Sequence, residues 1–192
     1  MPEAPSRRDL ILAAAAERIR ARGFHGVGMD EIGEAAGITG PGVYRHFAGK
    51  QALLAALFDQ VGEELVRGGR EALSGVGSPR AKLEGLIEFH LGFSLDHPDH
   101  MAVWAGEGHH LADDDRRSLR RRQRGYIALW VPLVAALRPD LSASEVKTSV
   151  ALAIGILQAA ALDRDTGIDR PRLERLALRM ALGALVARRL PR

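Results

Sequence analysis

The stretch from Met29 to Lys50, MDEIGEAAGITGPGVYRHFAGK, constrains the fold more tightly than any other part of the chain. Two short segments of helical apolar periodicity flank Gly37, which predicts two helices joined by a tight turn. Met29, Ile32, Ala36, Ile38, Val43 and Phe47 recur at spacings that pack one helix across the other. Ala35, Ala36 and Gly37 leave almost no side chain where the closest approach is expected. The second segment carries Tyr44, Arg45 and His46 beside its apolar anchors and has no acidic residue. A helix without carboxylates, crossed on a partner through a tight turn, is the layout that lays a helix against DNA phosphates and bases.

The rest of the chain is read as all-α. Alternating runs rich in Val, Thr and aromatics are missing, whereas helical periodicity runs almost throughout. The first helix is expected from Ser6, as N-cap, to Arg22, with Gly23 ending it. Gly28 precedes the second helix, and Glu31 is placed to reach back to its entrance. Pro41 stands at the start of the third, where a missing N–H costs nothing. The fourth runs from Lys50 to about Leu73, before the Gly/Ser/Pro-rich break 74–79. Pro79 then opens a helix to about Asp96, and a short one follows from Pro98 to about Gly108. Asp113 to Arg138 forms another, with three aspartates at its positive N-terminal end and Pro132 expected to kink or split it. Ser142 starts a helix to about Arg164, and Pro171 opens a last one to about Arg189. That makes about nine helices: a three-helix head over residues 1–50 and a helical body over 51–192, with the fourth helix linking them.

Bulk properties exclude more than they select. The 192 residues include no cysteine, so disulfides and thiolate metal sites are out, and a reducing cytoplasm fits. No apolar run is expected to reach a membrane span. The first twenty residues carry Arg7, Arg8, Asp9 and Glu17 where a signal peptide has an apolar core. The net charge of +3 is too small to argue nucleic-acid binding, so local distribution must carry that argument.

Residues 23 to 57, GFHGVGMDEIGEAAGITGPGVYRHFAGKQALLAAL, resemble the N-terminal DNA-binding domain of the TetR/AcrR family of bacterial transcription regulators. The resemblance rests on Gly-Phe after the first helix, Ile-(x)3-Ala-Gly-Ile through the turn, Val-Tyr-Arg-His-Phe, and Lys-(x)2-Leu-Leu. It implies a cytoplasmic, ligand-responsive homodimer, most simply a repressor, that binds an inverted-repeat operator in duplex DNA. It also implies backbone contacts from Thr39, Tyr44, His46 and Lys50. Tyr44 packing on the first helix, and His46 as a cap, stay open beside those roles. Arg45 is the expected base reader, since a guanidinium can make two hydrogen bonds to guanine. Arg7 and Arg8 are placed to reach flanking phosphates. The chain departs from the family pattern at Gly40, Pro41 and Gly42, where many relatives carry base-reading side chains, and at Gly28, where Ser or Thr is usual.

The eighth and ninth helices are apolar nearly all round. Val146, Val150, Ile154, Leu157 and Ala161 share one face, and Leu152, Ile156 and Ala159 another. A helix apolar on every side must be buried on every side, which a small monomer cannot arrange. A four-helix interface between two copies is the expected solution. In the body, Phe89, Phe93, Met101, Trp104, Tyr126 and Trp130 concentrate the few aromatics and are the candidate lining of a small hydrophobic effector's pocket, core filling being the alternative. His97, His100, His109 and His110, with Glu107 and Asp113, sit near helix ends rather than at i, i+4 spacing, so a wet loop is preferred to a metal site. The arginines at 116, 117, 120, 121, 122 and 124 are read as a solvated face paired with Asp113–Asp115. A site for acyl-CoA phosphates is the sharper alternative. No cofactor is implied, and neither a nucleophile elbow nor a glycine-rich phosphate loop supports an enzyme.

Overall fold

The computed structural model describes residues 5–162 and 167–187. Among these there is no strand. The chain forms α1 (Arg7–Arg22), α2 (Met29–Ala35), α3 (Gly40–Tyr44), α4 (Lys50–Ala72), α5 (Pro79–Asp96), α6 (Pro98–Gly106), α7 (Asp113–Leu137), α8 (Ala143–Leu162) and α9 (Arg170–Val186). A 3-10 turn, Glu107–His110, follows α6, where a single helix to Gly108 is expected from sequence. The expected ends of the eighth helix at Arg164 and the ninth at Arg189 lie outside the described residues.

Capping explains where the helices begin. Ser6 Oγ accepts from the Asp9 N–H at 3.2 Å, and Asp9 accepts in return from the Ser6 N–H at 3.1 Å. Ser142 and Glu145 make the same reciprocal pair ahead of α8. Ser78 and Asp169 cap α5 and α9, each followed by a proline in the first turn. Each such cap is worth about 1 kcal/mol. The helix α7 runs unbroken through Pro132, so the expected split does not occur.

The helices group into two compact units that are not contiguous in sequence. The first comprises the chain up to Val61 together with Asp99–Arg120; the second comprises Gly62–Pro98 and the chain from Arg121 onward. Thus α6 and the opening turns of α7 belong with the head, a grouping that a division of the chain at residue 50 does not convey.

In the first unit, Gly33 sets the geometry of the α2–α3 crossing. A β-carbon there would lie 3.0 Å from Val43 Cγ2, 3.1 Å from the Ile38 oxygen and 3.2 Å from the Gly40 nitrogen. The closest approach is therefore at Gly33, not at Ala35–Gly37; Ala35 is exposed. Gly37 supplies the turn instead, at φ +68, a conformation that costs residues with a β-carbon about 1 kcal/mol or more. Ile32, Val43 and Phe47 fill the space below, each less than 5 % exposed.

In the second unit, α8 packs on α5 and α9, and α5 on α9. Val146, Val150, Ala153, Leu157 and Ala161 are buried there, whereas Leu152 is 63 % exposed. The α8 helix is long and apolar enough, by length and composition, to cross a membrane, contrary to expectation. Arg138, nearly buried, makes a two-bonded ion pair with Asp140 at 2.8 Å and donates to the Ala187 carbonyl, fastening the end of α7 to the end of α9.

The interior of this unit holds one titratable surprise. His90 is 1 % exposed; its Nδ1 and the Tyr126 hydroxyl are hydrogen-bonded at 2.9 Å, and its Nε2 has no partner. Burial pulls the imidazole pKa down to about 4 and pushes the Tyr126 hydroxyl's up.

Two measurements check these features. Because His90 stays neutral in the fold but protonates in the unfolded chain, its share of stability is present above the ordinary histidine pKa and lost as pH falls toward 4. Denaturant titrations should show His90→Leu removing about 3 kcal/mol of the stability difference between pH 7 and pH 4. Gly33→Ala should destabilise the head by about 1–3 kcal/mol in thermal melts, although glycine to alanine inside an unobstructed helix gains about 1 kcal/mol.

Candidate nucleic-acid interface

The α2–α3 crossing buries apolar side chains on one side and turns polar ones outward on the other. Thr39, Pro41, Tyr44, Arg45 and His46 are exposed, and Gly40, Gly42 and Lys50 are half-buried. No carboxylate occurs from residue 35 to residue 58, so the segment itself brings no charge that repels a phosphate, and a nearby exposed carboxylate is Asp30, against Gly40.

The recognition element is shorter than its sequence suggests. α3 ends at Tyr44, and Arg45 is its C-cap at φ −70 and ψ −23. The His46 and Phe47 N–H groups both donate to the Val43 carbonyl, at 2.9 and 3.0 Å. Arg45 and His46 therefore project from the turn that closes the helix rather than from the helix itself. Glycines at 40 and 42 and a proline at 41 explain the brevity, since neither residue type favours helix propagation. The short element also brings Asp30 against Gly40, where any β-carbon would overlap the carboxylate. Thr39 precedes α3 without a side-chain capping bond. Tyr44 is 55 % exposed, which leaves its ring and hydroxyl accessible.

Cations flank this surface on aromatic supports. The Arg8 guanidinium lies 5.2 Å from the centre of the Phe47 ring, and Lys50 Nζ lies 4.5 Å from that of Phe24. Such contacts position a cation without neutralising it. Burial holds the Lys50 pKa below its ordinary value, with the Glu31 charge acting the other way. Glu31 itself is occupied: it accepts the Gly28 N–H at 2.8 Å and pairs with Arg22 at 2.7 Å. Those two contacts, the Gly28 bond foremost, hold its pKa below the usual carboxylate range. The reach-back expected from sequence is thus present, and it satisfies the α2 entrance where Gly28 offers no side chain.

The candidate effector-lining residues divide between the two units. Phe89 and Phe93, 6.2 Å apart, are half-buried in the second unit, which also holds Tyr126 and Trp130, buried and 6.0 Å apart. Met101 and Trp104 are buried in the first unit, with Trp104 against Phe58 at 5.4 Å. His90, on α5 between the phenylalanines and bonded to Tyr126, was not singled out by sequence. A lone histidine at a helical core spacing carries no signal until its partner is known.

The arginine run behaves mainly as a solvated, paired face. Arg116 bonds the Leu111 carbonyl at 2.8 Å, Arg117 pairs with Asp114, and Arg122 reaches Glu63 at 3.3 Å. The histidines near 97–110 form no group of three or more metal-ligating side chains among the described residues. Two of them instead join His25, which sequence also passed over: His110 stands 4.5 Å from His25 and 3.9 Å from His109.

Likeness to known proteins follows the two halves of the chain. Residues 11–57 match the family described as bacterial regulatory proteins, tetR family, and residues 76–161 match the tetracyclin repressor-like C-terminal domain. The transcriptional activator FasR of Mycolicibacterium smegmatis is 39% identical over 82 residues, 43% of this chain and 37% of FasR; the match thus spans little more than a third of that protein. The transcriptional repressor KstR2 of Mycobacterium tuberculosis is 26% identical across 71% of this chain and 72% of its own. Its solved structure, a ketosteroid transcriptional regulator, superposes with TM-score 0.80 at 21% identity over 94% of this chain and 95% of that one. FadR of Bacillus subtilis, solved in complex with stearoyl-CoA, gives TM-score 0.72 at 18% identity, covering 93% of this chain and 97% of that chain. With both halves matched and the helix-turn-helix in place, the chain belongs to the TetR family of transcriptional regulators, which are not enzymes, and joins an N-terminal DNA-binding domain to a C-terminal ligand-binding domain.

Proposed function

We propose that this protein is a cytoplasmic homodimeric repressor that binds an inverted-repeat operator in duplex DNA and leaves it when a small hydrophobic effector enters the body. The observation that carries the DNA-binding part is the outward face of residues 39–50, polar and cationic, free of carboxylates, and backed by a buried apolar seam. Thr39, Tyr44, His46 and Lys50 hold the phosphate backbone, with Gly40, Pro41 and Gly42 allowing the main chain close approach. Arg45 reads a base. In this reading residues 1–50 bind DNA, residues 51–192 hold the effector and the dimer contact, and α4 connects them.

The dimer reading is supported by what α8 and α9 leave uncovered. Leu152, Ala159, Met180 and Ala184 are exposed, and Ile156 and Leu176 half-buried, on the outer sides of a helix pair whose inner sides are already packed. Leu152 at 63 % and Met180 at 52 % exposure are large apolar groups that water disfavours. A second copy covering this face also explains why α8 meets the length and composition of a membrane span. Two heads held in one dimer address half-sites one helical turn apart, roughly 34–36 Å.

The effector reading is supported by the aromatic character of Phe89, Phe93, Tyr126 and Trp130, which share the second unit, and by the relatives' ligands. FadR was solved with stearoyl-CoA and KstR2 is named for ketosteroids, both with large apolar parts. FasR is an activator and KstR2 a repressor. The two-way switch needs the effector to favour the released state by only a few kcal/mol.

Arg45→Ala should cost roughly 1–3 kcal/mol on the preferred duplex and relax selection at one base pair per half-site, whereas Tyr44→Ala and Lys50→Ala should weaken all sequences alike. Competitive binding to duplexes varied one base pair at a time separates these outcomes; equal weakening of every sequence by Arg45→Ala removes it as the base reader.

For the dimer, charge on the outer face is the informative change. Leu152→Glu with Ala184→Glu should give a folded monomer in sedimentation velocity, at a cost to the dimer of several kcal/mol. Leu157, which sequence spacing made equally attractive, is fully buried within its own subunit; Leu157→Glu should unfold the body instead. A double outer-face variant that sediments as wild type moves the interface elsewhere.

A further inference from the structure

The head carries a cluster of three histidines and a lysine around one phenylalanine, assembled from three separate parts of the sequence. Phe24 and His25 lie between α1 and α2, Lys50 opens α4, and Glu107, His109 and His110 form the turn after α6, all within the first unit. Phe24 is the hub. Lys50 Nζ stands 4.5 Å from its ring centre, His110 stacks on it at 5.0 Å, and His25 meets it edge-on at 5.3 Å. Its N–H donates to Glu107 Oε2 at 3.4 Å, and that carboxylate is 3.2 Å from His110 Nε2. His109 Nδ1 donates to the Gly106 carbonyl at 2.9 Å, so its Nε2 is the nitrogen left to take a proton.

The charged and titratable groups facing His110 are His25 from the loop, Lys50 from α4, and His109 and Glu107 from its own turn. Burial first, then the two neighbouring imidazoles, hold the His110 pKa below the ordinary histidine value; Lys50 adds to this and Glu107 opposes it. One carboxylate stands against an ammonium and three imidazoles, and His110 is the member this surrounding holds toward its neutral form. A polyanion alongside reverses that balance, because each phosphate favours the protonated imidazole. His25 and His109 are exposed, and Lys50 ties the cluster to the surface assigned above to DNA backbone.

We propose that His25, His109 and His110 form with Lys50 a titratable phosphate-facing patch, and that binding duplex DNA draws protons onto it. The inference rests on the reading of the head as a DNA-binding surface. Its sign is fixed: protons taken up on binding make the complex tighter as pH falls, by about tenfold per pH unit for each proton taken up.

The test uses the full-length protein and a random-sequence 30-base-pair duplex at constant low ionic strength, followed by fluorescence anisotropy from about pH 8 to about pH 5.5, across the histidine range. Calorimetry in two buffers of different ionisation enthalpy reads proton uptake directly. The expected result is affinity that rises steadily as pH falls, a slope flattened in the His25→Gln, His109→Gln, His110→Gln triple variant, and a slope retained in His97→Gln, an exposed histidine of the second unit. Binding by the triple variant at pH 8 with the wild-type salt dependence shows that its head is folded. His25→Gln with His109→Gln, both exposed positions, reduces the slope in part and serves where the triple variant loses that binding. A wild-type affinity that depends on salt but not on pH overturns the proposal and leaves the DNA-binding reading standing. So does a slope that survives undiminished in the triple variant. Absence of duplex binding at every pH overturns both.

Discussion

The contact at Gly33 is the constraint on which the head depends. Without a β-carbon there, α2 and α3 cross closely enough for Val43 to reach the seam with Ile32 and Phe47. That burial, on the order of 1.5–3 kcal/mol for each large apolar side chain, fixes which side of α3 faces inward. The opposite side, bearing Tyr44, with Thr39 and Arg45 at the two ends of the helix, is then outward by geometry alone. A five-residue helix is too short to hold itself together by backbone hydrogen bonds. Its orientation is a property of the seam, and the face offered to DNA is as rigid as that packing.

Charge placement follows from the same economy. Three acids of the head are drawn into local tasks: Asp9 closes a cap on Ser6, Glu31 closes the α2 entrance and holds Arg22, and Asp99 pairs with Arg20 at 2.9 Å. The cations nearest the outward face rest on aromatic rings instead, Arg8 on Phe47 and Lys50 on Phe24. A modest net charge of +3 is therefore compatible with a strongly polarised head.

Legibility in the sequence tracked the range of the interaction. The cap at Ser6, the helix starts at Pro79 and Ser142, the turn glycine at 37 and the break at 74–79 depend on neighbours a few residues away, and they could be read directly. The seam was legible as a set, yet the closest contact fell at Gly33, because glycine inside a helix gives no sign of what approaches it. The end of α3 at Tyr44 was missed for a related reason: Val-Tyr-Arg-His-Phe carries a helical spacing that the preceding Gly-Pro-Gly is too weak a helix to extend. On α8, periodicity separated the two apolar faces correctly but could not say which was already covered within the subunit; only the packing of Leu157 and the exposure of Leu152 do so. The His90–Tyr126 bond joins residues 36 apart, and the Phe24–His110 stack joins residues still farther apart. Neither has a sequence signature.

The central claim is that the face spanning Thr39 to Lys50 reads a repeated sequence in duplex DNA through two copies of the head. Selection of binders from a random duplex library, followed by sequencing, tests it most directly. The account predicts an enriched inverted repeat whose half-site centres lie one helical turn apart, roughly 10–10.5 base pairs or a multiple of that. Enrichment of no repeat, or binding that persists unselectively at every salt concentration, contradicts it.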